Sequence, residues 1–242
     1  MRRSRNELGF TIVELMVICP ILMAVIAFMM SYLFRQFGEL TKNSTQVNLQ
    51  VTAQAAIFNL QDDVFFANAF VSDLNTGLTD SYAPSGGWVA SSNPLKFIIS
   101  TPAETGSHRS ASRSAVYINT LGCSPQSTKE LNDPLYENII IFTSGTNLYK
   151  RIVTAPSTMA TCGTSFRKQT CPAANASPSC PADILLTDRL SSMTVTYKNS
   201  SGTVVTTPEQ ASLVAINLTL TDTAFAEPVS ATSTITLRRL NQ

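Results

Sequence analysis

The chain has 242 residues, with 17 Lys and Arg against 16 Asp and Glu, so its formal net charge is +1. A charge this small argues against a protein that binds nucleic acid by neutralising many phosphates. Hydrophobic residues make up 44% of the chain, which argues against a wholly disordered protein. These residues are concentrated near the N-terminus, so we expect that end to lie in a different environment from the rest.

The first nine residues form a short basic leader, followed by a long apolar run. The leader contains Arg2, Arg3 and Arg5 against one glutamate. Residues 10–34 follow, and Glu14 is the one residue among them whose side chain is normally charged at neutral pH. A helix of this length rises about 37 Å, enough to cross a hydrocarbon core of about 30 Å. The arginines favour an N-terminus in the cytoplasm and the bulk of the chain outside.

Two ordinary explanations of this segment fit less well. A secretory signal peptide has a shorter apolar core, closed by a small-x-small cleavage site. The run here is longer, and no convincing site of that kind closes it. A plain single-pass anchor fits the length but leaves Glu14 unexplained, because a carboxylate within the span costs about 2.5–3.5 kcal/mol on insertion scales.

The string GFTIVE at residues 9–14 follows the leader and opens the apolar run. It closely resembles the class III signal of type IV prepilins and type II secretion pseudopilins. In that family a prepilin peptidase/methyltransferase cuts after the glycine, which corresponds to Gly9, and usually N-methylates the new first residue, here Phe10. A glutamate stands fifth in the mature chain, and Glu14 is fifth when Phe10 is first. The resemblance covers residues 1–34.

The resemblance implies a structural subunit of a type IV pilus or a type II secretion pseudopilus. Such a subunit is a single-pass inner-membrane precursor before it packs by its helix against other pilins or pseudopilins, with its outer domain periplasmic or extracellular. Cleavage would leave a side-chain charge of −1. In the family, the glutamate is held to meet the terminal amine of the adjacent subunit, which makes Glu14 a registry device. An ion pair in lipid offsets much of the desolvation cost of each charge.

Two residues inside the apolar run carry separate expectations. Pro20 removes the helical hydrogen bond to Met16, which predicts a kink or local melting near residues 16–20. A tolerated membrane proline and a functional hinge both remain open for Pro20. Cys19 is expected to behave as a small hydrophobe rather than as a reactive thiol.

After residue 34 the helical pattern continues but becomes amphipathic. The apolar residues recur at three-, four- and seven-residue steps: Phe37, Leu40, Val47, Val51, Ala55 and Phe58, joined by Leu60, Val64 and Phe65. We predict one helix from about Phe10 to about Ala69. Its first half spans the membrane or forms a filament core, and its second half, residues 35–70, covers a sheet with this apolar stripe.

The remainder of the chain, residues 71–242, predicts an extracytoplasmic antiparallel β domain. The predicted strands are Leu95–Ser100, Ser114–Asn119, Tyr136–Thr143, Asn147–Thr154, Met193–Asn199, Thr203–Thr206, Ser212–Thr221 and Thr232–Arg238. Turn signals at Ser-Gly-Thr and Ser-Ser-Gly predict two hairpins, at 136–154 and 193–206. Alternating apolar residues indicate half-buried antiparallel strands. The predicted fold class is therefore α+β, a long N-terminal helix packed on an antiparallel sheet.

The order of elements also resembles the larger minor members of the family. It is most like the PilW-type minor pilins and the J-type pseudopilins. The residues that carry this weaker likeness are LYKR at 148–151, Tyr197 in a late strand, and LRR at 237–239. They do not separate a pilus subunit from a secretion subunit.

Four cysteines lie in the outer domain: Cys123, Cys162, Cys171 and Cys180. An even set in a translocated domain predicts two disulfides, with three possible connectivities. Residues 156–181 form a proline-containing loop with three of these cysteines, which a disulfide would constrain. Zinc sites usually have ligands two to four residues apart, and no such spacing occurs here. We therefore expect structural disulfides and no metal.

The residues do not predict an enzyme or a cofactor. The lone histidine, His108, lies in a Ser/Arg-rich stretch with nothing resembling a nucleophile elbow. The pair Asp62-Asp63 is expected at the surface of a helix end, without acid–base chemistry. No dinucleotide or phosphate-binding motif and no HExxH motif occurs.

Small basic clusters are scattered along the outer domain: Arg109 and Arg113, Lys150 and Arg151, and Arg238 and Arg239. We expect solvated surface charge there, and contact with DNA is the sharper alternative. Two further functions stay open. One is an adhesive or DNA-binding tip module that uses the loop at 156–181, and the other is a single-pass surface protein outside any filament.

Overall fold

A computed structural model describes residues 12–105, 115–117, 134–155 and 167–239. One helix, α1 (Ile12–Phe65), has 54 residues and leads into antiparallel β-structure. The predicted α+β fold is confirmed. The helix ends at Phe65, four residues before the predicted Ala69, and residues 66–68 connect it to the first strand.

The helix runs unbroken through Pro20. Of the two outcomes predicted near residues 16–20, a kink or local melting, local melting is therefore wrong. A proline removes one backbone hydrogen bond, and long helices in apolar surroundings tolerate such a loss when the flanking turns stay intact.

Nine strands follow within the described residues. They are β1 (Ala69–Val71), β2 (Ser91–Ser92), β3 (Leu95–Pro102), β4 (Tyr136–Ser144), β5 (Asn147–Val153), β6 (Ile184–Thr187), β7 (Leu190–Lys198), β8 (Leu213–Ala224) and β9 (Glu227–Arg238). The first six form one sheet in the order β1-β3-β4-β5-β6, with β2 also paired to β3. The last three form a second sheet, β7-β8-β9, and the paired strands of both sheets are antiparallel.

The first predicted hairpin is confirmed, and the second forms with a shorter ladder than predicted. Strands β4 and β5 pair down to Ser144 opposite Asn147, around the turn at Gly145. Residues 203–206 do not form a strand of their own, but Val204 makes an antiparallel bridge to Lys198, and the N–H of Val205 donates to the carbonyl of Tyr197. The other edge of β7 pairs with β8. The side chain of Asn199 accepts hydrogen bonds from the backbone N–H groups of Ser201 and Thr203 and so closes a local turn.

One predicted strand lies largely outside the described residues. Of Ser114–Asn119, residues 115–117 are described, and they form bridges from Ala115 to Glu104 and from Tyr117 to Pro134. The short strands β1, β2 and β6 were not predicted, because two to four residues carry too little alternation to show a period.

The main core lies between the second half of α1 and the two sheets. The sheets contribute, among others, Phe97, Ile99, Ile139, Ile141, Val214, Ile216, Leu218 and Leu237. A second apolar cluster covers the other face of the first sheet, with Trp88, Ile98, Ile140 and Val153 among its members. The run Ile139–Ile141 is fully buried because it supplies both clusters.

The face of α1 that contacts the sheets differs from the predicted one. The buried apolar side chains are those of Leu49, Ala53, Ala56, Ile57, Leu60 and Val64. Of the predicted stripe, only Leu60 and Val64 are buried, and the other members are exposed. The helix carries two apolar faces, and the one that contains two alanines packs inward because small side chains let the strands approach closely.

Candidate functional site

The first half of α1 makes no packed contact with the domain. Its most apolar stretch is long enough to cross a membrane by length and composition, and none of that stretch is buried within the protein. A core helix of similar composition would be mostly buried. Glu14 lies in the first turn, where a negative charge also interacts favourably with the helix dipole. Cys19 is a free, exposed cysteine within the same apolar half.

The other residues with a predicted role in processing lie outside the described residues. These are Gly9, Phe10 and the leader arginines Arg2, Arg3 and Arg5. Their roles stay predictions from the sequence, and Glu14 is the predicted site residue of the motif that has a described position.

The apolar surface of α1 continues past residue 34 along the side that faces away from the sheets. We call this surface the outer stripe, and it consists of Phe37, Leu40, Val47, Val51, Phe58 and Phe65. Each of these side chains is between 42% and 62% exposed. The sequence predicts that these residues cover the sheet, and that prediction is wrong, because a helical period does not tell which of two apolar faces is covered. Contiguous exposed apolar surface is typical of interaction faces.

A buried ion pair joins the end of α1 to the sheet. The Nζ atom of Lys150, on β5, lies 2.6 Å from a carboxylate oxygen of Asp63, whose side chain is fully buried. The surface position predicted for Asp63 is therefore wrong. Removing either partner would leave an uncompensated buried charge, and the pair joins α1 directly to β5.

A second buried charge cluster surrounds Arg151. Its Nη1 lies 3.0 Å from Asp80 Oδ2, and its Nε donates to Asp183 Oδ1 at 2.9 Å. Its Nη1 also donates to the carbonyl of Tyr82. Burial lowers the pKa of Arg151, but the hydrogen bonds and charges of Asp183 and Asp80 raise it by more, so the net shift is upward.

Aromatic rings enclose the same guanidinium. Its central carbon lies 5.2 Å from the ring centroid of Trp88 and 5.5 Å from that of Phe142. The solvated charge predicted for Lys150 and Arg151 is therefore wrong, since both cations are held in buried ion pairs. Arg239 is likewise engaged, because it donates to the carbonyl of Asn68. Arg109 and Arg113 lie outside the described residues.

Cys171 and Cys180 form a disulfide, with their Cα atoms 5.7 Å apart. This confirms one of the two expected bridges, and Cys123 and Cys162 lie outside the described residues. The bridge borders the Arg151 cluster. The N–H of Asp183 donates to the carbonyl of Cys171, and Thr170 donates from its hydroxyl to Asp183. These hydrogen bonds hold the disulfide loop in the position in which the carboxylate of Asp183 contacts Arg151.

Replacing both cysteines, Cys171→Ser/Cys180→Ser, is expected to lower the free energy of unfolding by about 2–3 kcal/mol, because the bridge closes a short loop in the unfolded chain. Urea unfolding of the two proteins, followed by the fluorescence of Trp88, measures this difference. Replacing Cys19 with Ser is the control and should leave the midpoint unchanged. Equal midpoints for the double variant and the parent would show that the bridge does not stabilise the domain.

No group of three or more metal-ligating side chains occurs in the described part of the chain. A cavity of about 500 Å³ lies beside β1 and includes Ser72 and Glu209 in its lining. Burial raises the pKa of Glu209, but hydrogen bonds from Ser72 lower it by more. Burial, and then the charge of Glu209, raise the pKa of Tyr197. Neither group is therefore tuned to exchange protons near neutral pH. His108 lies outside the described residues.

Comparison of the chain with protein-family models, with curated proteins and with solved structures gives no significant match.

Proposed function

We propose that this protein is a structural subunit of a type IV pilus or a type II secretion pseudopilus, most like a minor pilin or a minor pseudopilin. The observation that carries the proposal is the GFTIVE string at residues 9–14, followed directly by a helix whose first half is apolar and unpacked. The precursor is anchored in the inner membrane by this helix. A prepilin peptidase cuts it after Gly9, and Phe10 is methylated.

The outer stripe supports packing against other subunits. It continues the apolar surface of the membrane segment along the same helix, so a neighbouring helix can follow both without a break. A purely membrane-anchored surface protein needs an apolar face within the bilayer only. The exposed faces of Val47 and Val51, far beyond the span, are better explained by contact with other pilins or pseudopilins.

The outer domain is the part that such a subunit presents at the filament surface. Two buried ion pairs anchor β5: Lys150 binds Asp63 on α1, and Arg151 binds Asp80 in the segment between β1 and β2. Movement of the helix during assembly would therefore carry the domain as one body. Because Lys150 and Arg151 are already bound to carboxylates of the protein, they give no support to DNA binding at that cluster.

Glu14→Ala tests the proposal. The variant is expected to insert in the membrane and to lose its leader as the parent does, but to enter filaments much less, because the amine of a neighbouring subunit loses its carboxylate partner. The measurement is the fraction of the protein recovered in sheared filaments or in isolated pseudopili, relative to the membrane fraction.

Glu39→Ala is the matched control. Glu39 is on the same helix in an exposed pair with Arg35 at 3.6 Å, beyond the apolar run. Its removal should leave incorporation unchanged. Normal incorporation of Glu14→Ala would contradict the registry role. Absence of the parent protein from every filament fraction would favour a membrane-anchored surface protein instead.

A further inference from the structure

The turn that joins β8 to β9 carries an exposed phenylalanine in an unusual backbone conformation. Ala224 pairs with Glu227, so Phe225 and Ala226 form a two-residue turn, with φ of 54° and 62°. A turn with positive φ at both central residues normally selects Asn-Gly. Phe and Ala both adopt positive φ with steric strain, unlike Asn or Gly, and Phe225 is 62% exposed. The geometry of the turn therefore does not account for an aromatic residue at this position.

The tip of this hairpin rests on α1 just beyond the apolar half. The ring of Phe225 lies against Gly38, where a Cβ atom would come within 3.5 Å of its Cδ1. Lys42, one turn further along the helix, forms an ion pair with Glu227 on the first residue of β9. Gly38 is buried by this contact. The tip therefore lies at a defined position along the axis of α1, beside Gly38 and Lys42.

That position corresponds to the surface of a bilayer. Residues 12–34 rise about 34 Å as a helix, slightly more than a hydrocarbon core of about 30 Å. Gly38 lies four residues after Phe34, or about 6 Å further along the axis. The polar layer on each side of the core is about 5–7 Å thick. A span that places Phe34 at the outer edge of the core therefore places the ring of Phe225 among the lipid headgroups.

We propose that the tip at residues 224–226 is a membrane-contact site, in which Phe225 inserts into the outer interfacial layer of the bilayer that α1 spans. Trp and Tyr are enriched in this layer, and Phe is among the residues by which interfacial segments bury their apolar face about 5–10 Å into the boundary between headgroups and acyl chains. The contact holds the outer domain against the membrane before assembly, and extraction of the helix breaks it. The inference rests on the membrane anchoring of the proposed function.

Tryptophan substitutions in the full chain test the site. The protein is reconstituted in vesicles of phosphatidylethanolamine and phosphatidylglycerol that contain lipids brominated near the carbonyl or near the middle of the acyl chain. Phe225→Trp is expected to add blue-shifted emission that the shallow bromines quench more than the deep ones. The native Trp88, 4% exposed in the outer domain, provides the common background. Phe225→Trp/Ala226→Gly, in which Gly takes the positive φ without strain, replaces the single variant if that variant is unstable.

Val204→Trp is the matched control. Val204 is 61% exposed, and it bridges Lys198 at the opposite end of β8 from the tip. Twelve strand residues separate the two ends by about 37 Å. Its added emission should be water-like and unaffected by either bromine position.

Ile26→Trp, in the apolar half of α1, separates failure of this site from failure of the anchoring. If the bromines quench Ile26→Trp but not Phe225→Trp, the lipid contact is overturned and the anchoring stands. If they quench neither, both are overturned. Blue-shifted emission from Phe225→Trp without quenching would show that protein covers the ring, and it would also overturn the lipid contact.

Discussion

Arg151→Met is expected to lower the free energy of unfolding of the outer domain by about 3–5 kcal/mol, because it leaves two buried carboxylates without their cation. Asp80 and Asp183 both bind this guanidinium, and the side chain of Asp80 is fully buried. Methionine keeps much of the side-chain volume, so loss of charge rather than loss of packing dominates. Urea unfolding measures the effect, and Trp88 reports it directly, since its ring stacks on the arginine.

Arg189→Met is the control for this substitution. Arg189 pairs with Asp222 at 2.9 Å, but both side chains are about one-third exposed. Exposed pairs contribute about 1 kcal/mol or less, so this variant should unfold close to the parent. A triple variant, Arg151→Met with Asp80→Asn and Asp183→Asn, should recover part of the loss because no unpaired charge remains. Equal destabilisation by Arg151→Met and Arg189→Met would contradict a structural role for the cluster.

Leu60→Ala and Leu40→Ala should have opposite consequences, although they are the same change in one helix. Leu60 is fully buried between α1 and the sheets, so its truncation is expected to cost about 2–5 kcal/mol of stability. Leu40 is 62% exposed on the outer stripe, and its truncation should change stability by less than about 0.5 kcal/mol. We expect Leu40→Ala to lower the fraction of subunit recovered in filaments instead.

The two leucine variants are compared by unfolding in detergent and by recovery in the filament fraction. A second outer-stripe variant, Val51→Ala, should behave as Leu40→Ala does. If the outer-stripe variants lose stability as Leu60→Ala does, the stripe belongs to the core. If they enter filaments normally, the stripe is not a packing surface for neighbouring subunits.

The helix and most long strands could be predicted from the sequence because their patterns are local. No Gly or Pro interrupts residues 39–76, and strict alternation in β8 places Val214, Ile216 and Leu218 on one face. The inward face of α1 could not be predicted, since two apolar faces share the same helical period. Only the packed sheets decide that Ala53 faces the core and Val51 does not.

Long-range charge pairs were beyond the reach of sequence patterns. Arg151 meets Asp80 across 71 residues and Asp183 across 32, and neither spacing has a period. The sequence marked Lys150 and Arg151 as a basic cluster, and only the folded chain shows that each cation is neutralised. The turn between β8 and β9 could not be predicted from its residues, because Phe225-Ala226 stands where a two-residue turn usually has Asn-Gly.

The candidate processing site rests on the sequence alone, because it precedes the described part of the helix. Its most direct test is the intact mass and N-terminal sequence of the protein purified from cells that assemble filaments. Our account predicts a chain that begins at Phe10, carries one N-methyl group and lacks residues 1–9. A protein that still begins at Met1 in the assembled state would contradict it.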